Sequence, residues 1–392
     1  MVATAVRKKF EASEKWERFA LQMQNLASDG AFTSKDFSAE KPSKLKVASF
    51  FAGAGGMDLG LKWAGFDLVY ANEIDVNATA TYRANLGDHI DNRSIVDVDL
   101  NELPDHDLLV GGFPCQPFSY AGKRKGLRDE RGMLFFALID DLMIHRPSFF
   151  IFENVKGLTT HDNGQTMQNV KQAISDAGYR LSYSVLNAED FLVPQSRQRL
   201  FLVGVRDDLD GTFDFPEVRF ENISVKEAID DLISNKTVSN NEPMRHSQRI
   251  IDRYHFIPQG GDMRDVPPEH QQRKRGQSDV VSGKQSSQSY HRLSEAETSP
   301  TVCAMFQAHF IHYSEHRNLT AREAARLQSF PDDFVFLRNR VNMSWDKDLS
   351  QYQQIGNAVP PMLAFSLGSA LYDQFYESNI SSSTDDPGAY FL

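Results

Sequence analysis

Cysteine is scarce in this chain: 392 residues hold two, Cys115 and Cys303. A disulfide framework is excluded as the organising device, and a reducing compartment is expected. Neither cysteine has clustered histidine partners, so no metal site is expected. Long apolar runs are missing as well. No stretch is long enough to span a bilayer, and the N-terminal MVATAVRKKFEASEKWERF carries no signal-peptide core. A cytoplasmic location without a membrane partner is the expectation. Positive charge is also in deficit, with a net charge of −11. This argues against a uniformly basic nucleic-acid binder, although net charge says little about a local field. Acidic residues gather between Asp88 and Asp107. Basic ones gather in the loop after Cys115, from Arg197 to Arg206, and between Arg245 and Arg292. An acidic body with a basic cleft fits this distribution.

What is present reads as an α/β protein with a doubly wound, mostly parallel sheet. Buried-strand signals at Val47–Phe51, Leu68–Ala71, Leu108–Gly112 and Ser148–Glu153 alternate with helical signals. Asp75 is placed to N-cap one of those helices, and Gly65, Gly87 and Gly178 stop three of them. Arg180–Leu186 and Arg199–Val205 read as a pair of strands. After about Pro216 the composition shifts to Gln, Ser, Arg, His and Pro with several breakers, which marks a second, smaller, loop-rich domain. The expected organisation is an N-terminal extension (1–45), a catalytic and cofactor-binding domain (46–216), the small domain (217–350), a C-terminal helix returning to the first domain (351–378) and a disordered tail (379–392). Thr320-Ala321-Arg322-Glu323 is a capping box opening a short helix.

Four motifs carry chemistry. Phe51-Ala52-Gly53-Ala54-Gly55-Gly56 joins the first strand to the first helix, where glycines let a ligand approach the backbone. The dinucleotide fingerprint would need a third glycine, and position 58 is Asp. Glu73 ends the second strand at the distance suited to a ribose hydroxyl pair. Together they indicate a nucleoside-bearing cofactor. Cys115 lies on a Gly- and Pro-broken turn after the third strand, and a basic loop follows it. A buried cysteine taken alone is usually inert. Glu153, however, ends the neighbouring strand, which makes an acid–nucleophile pair. Arg197 and Arg199 alternate onto one face of a strand, suited to phosphate or a planar base edge.

All these pieces stand in one order. FxGxGG at Phe51–Gly56, GFPCQPFS at Gly112–Ser119, ENV at Glu153–Val155, QSRQR at Gln195–Arg199, LTAREAARLQSFPDDF at Leu319–Phe334 and QIGNAVP at Gln354–Pro360 make the chain resemble the DNA cytosine-5 methyltransferases of bacterial restriction–modification systems. The resemblance covers about Lys46 to Gln374. It implies S-adenosylmethionine as methyl donor, S-adenosylhomocysteine as product, no metal, and a cytosine flipped from double-stranded DNA as acceptor. It also implies a cognate restriction endonuclease that shares the target sequence but need not bind, and a monomer in the bacterial cytoplasm associated with the nucleoid.

Residue roles follow from the same resemblance. Phe51, Ala52, Gly53, Gly55 and Gly56 would cradle the donor, Glu73 would hold its ribose, and Ile74, Ser94 and Ile95 would flank the adenine. Pro114, Leu134, Asn357 and Val359 would complete the pocket. Cys115 would be the nucleophile, Glu153 and Arg197 would grip the cytosine edge, and Arg199 would orient the site and its phosphates. The small domain would be the target recognition domain, with Arg245, Arg249, Arg253, Arg264, Arg273, Lys274, Arg275 and Arg292 as candidate DNA contacts, mostly to phosphate. Ser94 stands where the family usually has Asp, a neutral acceptor in place of a charged one, with Asp97 nearby. An RNA cytosine methyltransferase, a nucleotide-dependent oxidoreductase and a non-catalytic DNA-binding protein are the rival readings.

Overall fold

The computed structural model describes residues 33–34, 45–113, 130–217, 221–270, 290–304, 310–341 and 346–377, without the side chains of 130–133 and 377. A seven-stranded sheet forms the centre, with strands β1 (Lys46–Phe50), β2 (Asp67–Asn72), β3 (Ile90–Asp91), β4 (Leu108–Gly112), β5 (Phe149–Val155), β6 (Tyr179–Asn187) and β7 (Gln198–Arg206). Their order is β3-β2-β1-β4-β5-β7-β6. The first five pair in parallel, and β7 runs antiparallel between β5 and β6. Near-continuous apolar runs such as β4 and β5 suit strands covered on both faces. Alternation along them feeds two cores. Val47, Val110, Ile151 and Val203 point to one, and Ala48, Leu109, Phe150 and Leu202 to the other. Gly204 lies opposite Phe150, and a side chain there would collide with the Phe150 ring.

Helices α1 (Gly56–Trp63), α2 (Val76–Asn85), α3 (Glu130–Ile144) and α4 (Gln165–Asp176) fill the crossovers. Asp75 caps α2 as expected, its carboxylate accepting from Ala78 N at 2.8 Å. Beyond β7 come short helices α5 (Val225–Ile229) and α6 (Gln248–His255), and a two-stranded parallel pair, β8 (His291–Arg292) and β9 (Phe310–Ile311). Then follow α7 (Ala321–Leu327), α8 (Gln351–Asn357) and α9 (Pro361–Tyr372). The capping box at Thr320 is formed, with Glu323 reaching back to the Thr320 amide at 2.7 Å. α9 is buried along nearly its whole length and packs on α1.

Much of the segment 217–350 shares the main core. Ile223, Val225, Ile229, Leu232, Leu293, Phe310 and Phe330 belong to the same cluster as Val47 and Leu108. A small cluster of its own gathers Tyr254, Ile257, Met263, Val266 and Ile311. Of the N-terminal extension, Ser34 is tied to Asp333, donating from its amide (2.9 Å) and its hydroxyl (2.8 Å). The expected tail at 379–392 lies outside the described residues. No helix among them is long and apolar enough to cross a membrane.

Candidate active site

The sheet order reverses between β1 and β4, and in open α/β sheets ligands bind in the crevice at such a switch point. The glycine loop follows β1, and the Cys115 loop follows β4. At the first of these, Phe51 is held at φ 58°. Bulky residues seldom adopt that conformation, and where they do the strain tends to serve a site. Gly53 is also left-handed, at φ 57°, and a side chain there would meet no atom within 4 Å. Gly55 and Gly56 differ. Both are buried, and a side chain at Gly55 would collide with Leu86, while one at Gly56 would collide with the Val359 carbonyl. Gly53 therefore leaves space open to a ligand, and the other two serve close packing of α1.

Glu73 faces this loop. Its Oε2 accepts from Gly53 N at 2.9 Å and its Oε1 from Asp75 N at 2.8 Å. Burial raises its pKa, and those backbone donors oppose the shift. Asn92 and Thr79, which the motifs did not flag, fix the turn beside it. Asn92 Nδ2 donates to the carbonyls of Glu73 (2.8 Å) and Ile74 (3.1 Å), and Thr79 Oγ1 donates to Glu73 O at 3.0 Å. Ile74 is 64% exposed, with Val76 and Val96 also exposed. Ser94 is partly exposed and makes no side-chain cap bond to the one-turn helix it opens, and Asp97 is exposed. Ile95, expected beside the adenine, has its side chain in the core at 3% exposure. Leu134 packs on that same core, Val359 is buried, and Asn357 is exposed at the end of α8.

At the second loop, Pro114 and Cys115 lie outside the described residues, as do most of the basic loop's residues. The strand that delivers them ends at Gly112, the register partner of Glu153. A side chain at Gly112 would sit 3.2 Å from Glu153 Oε2, so the carboxyl lies over the end of β4. Asn154 donates to the Phe113 carbonyl at 2.9 Å and holds the start of the loop. Arg199 Nε lies 3.0 Å from Glu153 Oε1, both side chains 16% exposed. Burial raises the Glu153 pKa, and the charges of Arg199 and then Arg197 oppose it. A carboxyl poised this way can hold a proton against a ring nitrogen.

Arg197 was expected to share the grip on a base edge with Glu153. It is fully buried instead, and its Nη groups donate to the carbonyls of Val302 (2.8 Å), Gly356 (3.0 Å) and Ala358 (3.0 Å). The arginine bonded to Glu153 is Arg199. Gln195 is equally buried, joining Leu327 O, Gln328 Oε1 and Val302 N. Two of the candidate DNA contacts are also internal struts. Arg292 donates to the carbonyls of Tyr254, Ile257, His312 and Glu315, and Arg253 to that of His270. Arg264 is forked onto Asp262, while Arg245 and Arg249 are exposed. Arg273, Lys274 and Arg275 lie outside the described residues.

The model for the C-5 cytosine-specific DNA methylases matches residues 45–373. The chain belongs to that family. Among curated relatives, the type II methyltransferase M.DdeI of Desulfomicrobium norvegicum is 38% identical over 386 residues, covering 87% of this chain and 91% of its own. M.Eco47II of Escherichia coli is 37% identical, covering 86% and 82%. Of solved structures, S. pombe Dnmt2 methyltransferase aligns at TM-score 0.58 and 18% identity over 86% of this chain and all of its own. Entamoeba histolytica EhMeth aligns at 0.57 and 14% over 85% and 99%. These two structures share the fold. As a C-5 cytosine DNA methylase of restriction–modification type, the chain is a DNA cytosine-5-methyltransferase.

Proposed function

We propose that this methyltransferase acts through a covalent adduct between Cys115 and C6 of a cytosine flipped out of a specific duplex DNA sequence. The observation that carries the reading is Glu153, held by Arg199 at the strand end from which the Cys115 loop departs. C5 of cytosine is a weak nucleophile. Attack of the Cys115 thiolate on C6 forms the S–C6 bond and moves the ring electrons toward C5, provided N3 carries a proton. Glu153, with its raised pKa, donates or shares that proton. Arg199 fixes the carboxyl's direction and adds positive charge beside the ring. A free thiol has a pKa of about 8.5, so basic neighbours that enlarge the thiolate fraction speed the attack. After methylation the C5 proton leaves to a base, the S–C6 bond breaks, and Cys115 departs as thiolate.

The residues at the first loop fit S-adenosylmethionine. Gly53 leaves open space, Glu73 presents an oriented carboxylate with lone pairs to spare, and Ile74 offers an exposed apolar face. When bound, this donor supplies an electrophilic methyl group on a sulfonium. Unstacking the target costs a few kcal/mol, and the Lys and Arg side chains that follow Cys115 in the sequence would offset phosphate charge. The product is 5-methylcytosine, which would protect host DNA from an endonuclease of the same specificity.

Duplex DNA carrying 5-fluorocytosine at the target tests the covalent step, because no proton can leave C5. A denaturation-resistant complex is expected with the wild-type enzyme, and none with Cys115→Ala, which should still bind DNA. An active enzyme that forms no such complex overturns the covalent route. Bisulfite sequencing of DNA from an expressing host reads the target sequence.

A further inference from the structure

Arg197 is a large buried cation at the site, 1% exposed, with no bonded carboxylate among the described residues. Its three hydrogen bonds reach carbonyls 105, 159 and 161 residues further along the chain. One guanidinium thus joins the entry to β7, the strand-like stretch 299–302 beside it, and the turn from α8 to α9. The stretch 299–302 is already bound to the motif, with Ser196 N donating to Ser299 O at 2.8 Å and Thr301 Oγ1 to Ser196 O at 2.8 Å. The same seam is tight at Gly356, where a side chain would collide with the backbone of Cys303 and Ala304.

The turn that Arg197 holds touches the donor loop directly. Val359 O and Ala358 Cβ lie against Gly56, which opens α1 immediately after the loop. Gly53 in that loop donates to Glu73. A continuous path therefore runs from Arg197 through 356–359 and Gly56 to the ribose-binding carboxylate. On the other side, Arg197 stands two residues before Arg199, whose Nε lies 3.0 Å from Glu153 Oε1, and the charges of both partners act on the Arg197 guanidinium.

We propose that Arg197 is a positioning residue that couples the cytosine end of the site to the donor end through its three carbonyl bonds. The proposal deepens the functional reading above and rests on it. A planar fork with separate Nη donors serves carbonyls in three directions, which a lysine ammonium at one point cannot reproduce. Loss of Arg197 therefore loosens the 356–359 turn and weakens donor binding even with no DNA present. Loss of Arg199 acts only where the base is.

The test is calorimetric titration of S-adenosylhomocysteine into the full-length protein without DNA, for wild type, Arg197→Met, Arg197→Lys and Arg199→Met, with methyl transfer measured alongside. The expected result is donor affinity at least ten-fold weaker in both Arg197 variants. Arg199→Met should keep affinity within two-fold of wild type and lose transfer. In Arg197→Lys, the thermal midpoint should recover toward wild type while donor affinity stays weak, separating coupling from folding. Wild-type donor affinity in the Arg197 variants, with transfer lost, overturns the proposal and returns Arg197 to the base. If Arg197→Met does not fold, Arg197→Lys decides by the same criterion. A wild-type protein that neither binds S-adenosylhomocysteine nor methylates DNA instead refutes the functional reading beneath it.

Discussion

Glu153 and Asp58 are both carboxyls whose pKa burial raises, and their neighbours set them to different uses. Glu153 has Arg199 bonded to it and keeps its side chain 16% exposed, which suits the proposed sharing of its proton with a substrate. Replacing it with Gln keeps the size and removes the exchangeable acid. Single-turnover methylation should slow by about 10²–10⁴-fold, the usual range for a positioned acid, while DNA affinity is retained. A variant within ten-fold of wild type would assign proton transfer elsewhere. Asp58 sits in the first turn of α1, fully buried, without a well-formed hydrogen bond among the described residues. Burial pushes its carboxyl from 3.8 up to about 6, opposed by the nearby Ser49 and Tyr82 hydroxyls. The folded protein therefore keeps this proton at pH values where the unfolded chain has released it. The stability from the protonated form is complete below pH 3.8 and is lost as pH rises through about 6. The loss amounts to about 3 kcal/mol. Asp58→Asn should gain on wild type by that amount between pH 4 and pH 7 in denaturant midpoints. A gap that does not change with pH would mean that Asp58 does not titrate there.

At the level of elements, local patterns carried most of the information. The strand signals fell within a residue or two of β1, β2, β4 and β5, because buried parallel strands are apolar on both faces. The caps at Asp75 and Thr320 formed because a side-chain oxygen reaching an N-terminal amide is a short-range event. α5 and α6 were not expected: they are only five and eight residues long, too short for a period to show. A C-terminal helix returning to the first domain was expected, but its partner was not legible, since the contact of α9 with α1 joins residues some 300 apart. Gly60 marks that seam, where a methyl group would collide with the Pro361 carbonyl. Gly60→Ala should destabilise by at least about 1–3 kcal/mol, because the obstacle is backbone and cannot rotate away. Denaturant unfolding measures it, and an unchanged midpoint would show that the helices slide to accommodate the group.

The whole molecule must bind a polyanion while carrying a net charge of −11. Local charge resolves this, because Lys123, Arg124, Lys125, Arg128 and Arg131 follow Cys115 within one segment. DNA affinity should fall with salt at a log–log slope of about −3 to −5, as expected for some three to six neutralised phosphates. A slope near zero would remove the electrostatic basis for the basic loop. At this scale the sequence and the tertiary structure divide the work. Motifs determined the family, the chemistry and the residue types, because each motif is a short stretch whose backbone shape and side chains act together. The tertiary structure decided where each member of a motif sits and what it touches. It inserted β7 between β5 and β6, turned Arg197 into the protein and set Arg199 on Glu153. It separated the open Gly53 from the packed Gly55 and Gly56, and spent Arg292 on internal carbonyls. The physical reason is that a guanidinium, or a glycine's missing side chain, meets atoms that lie outside its own motif, 105 to 161 residues further along the chain for Arg197. Only folding brings those atoms within hydrogen-bond or van der Waals reach.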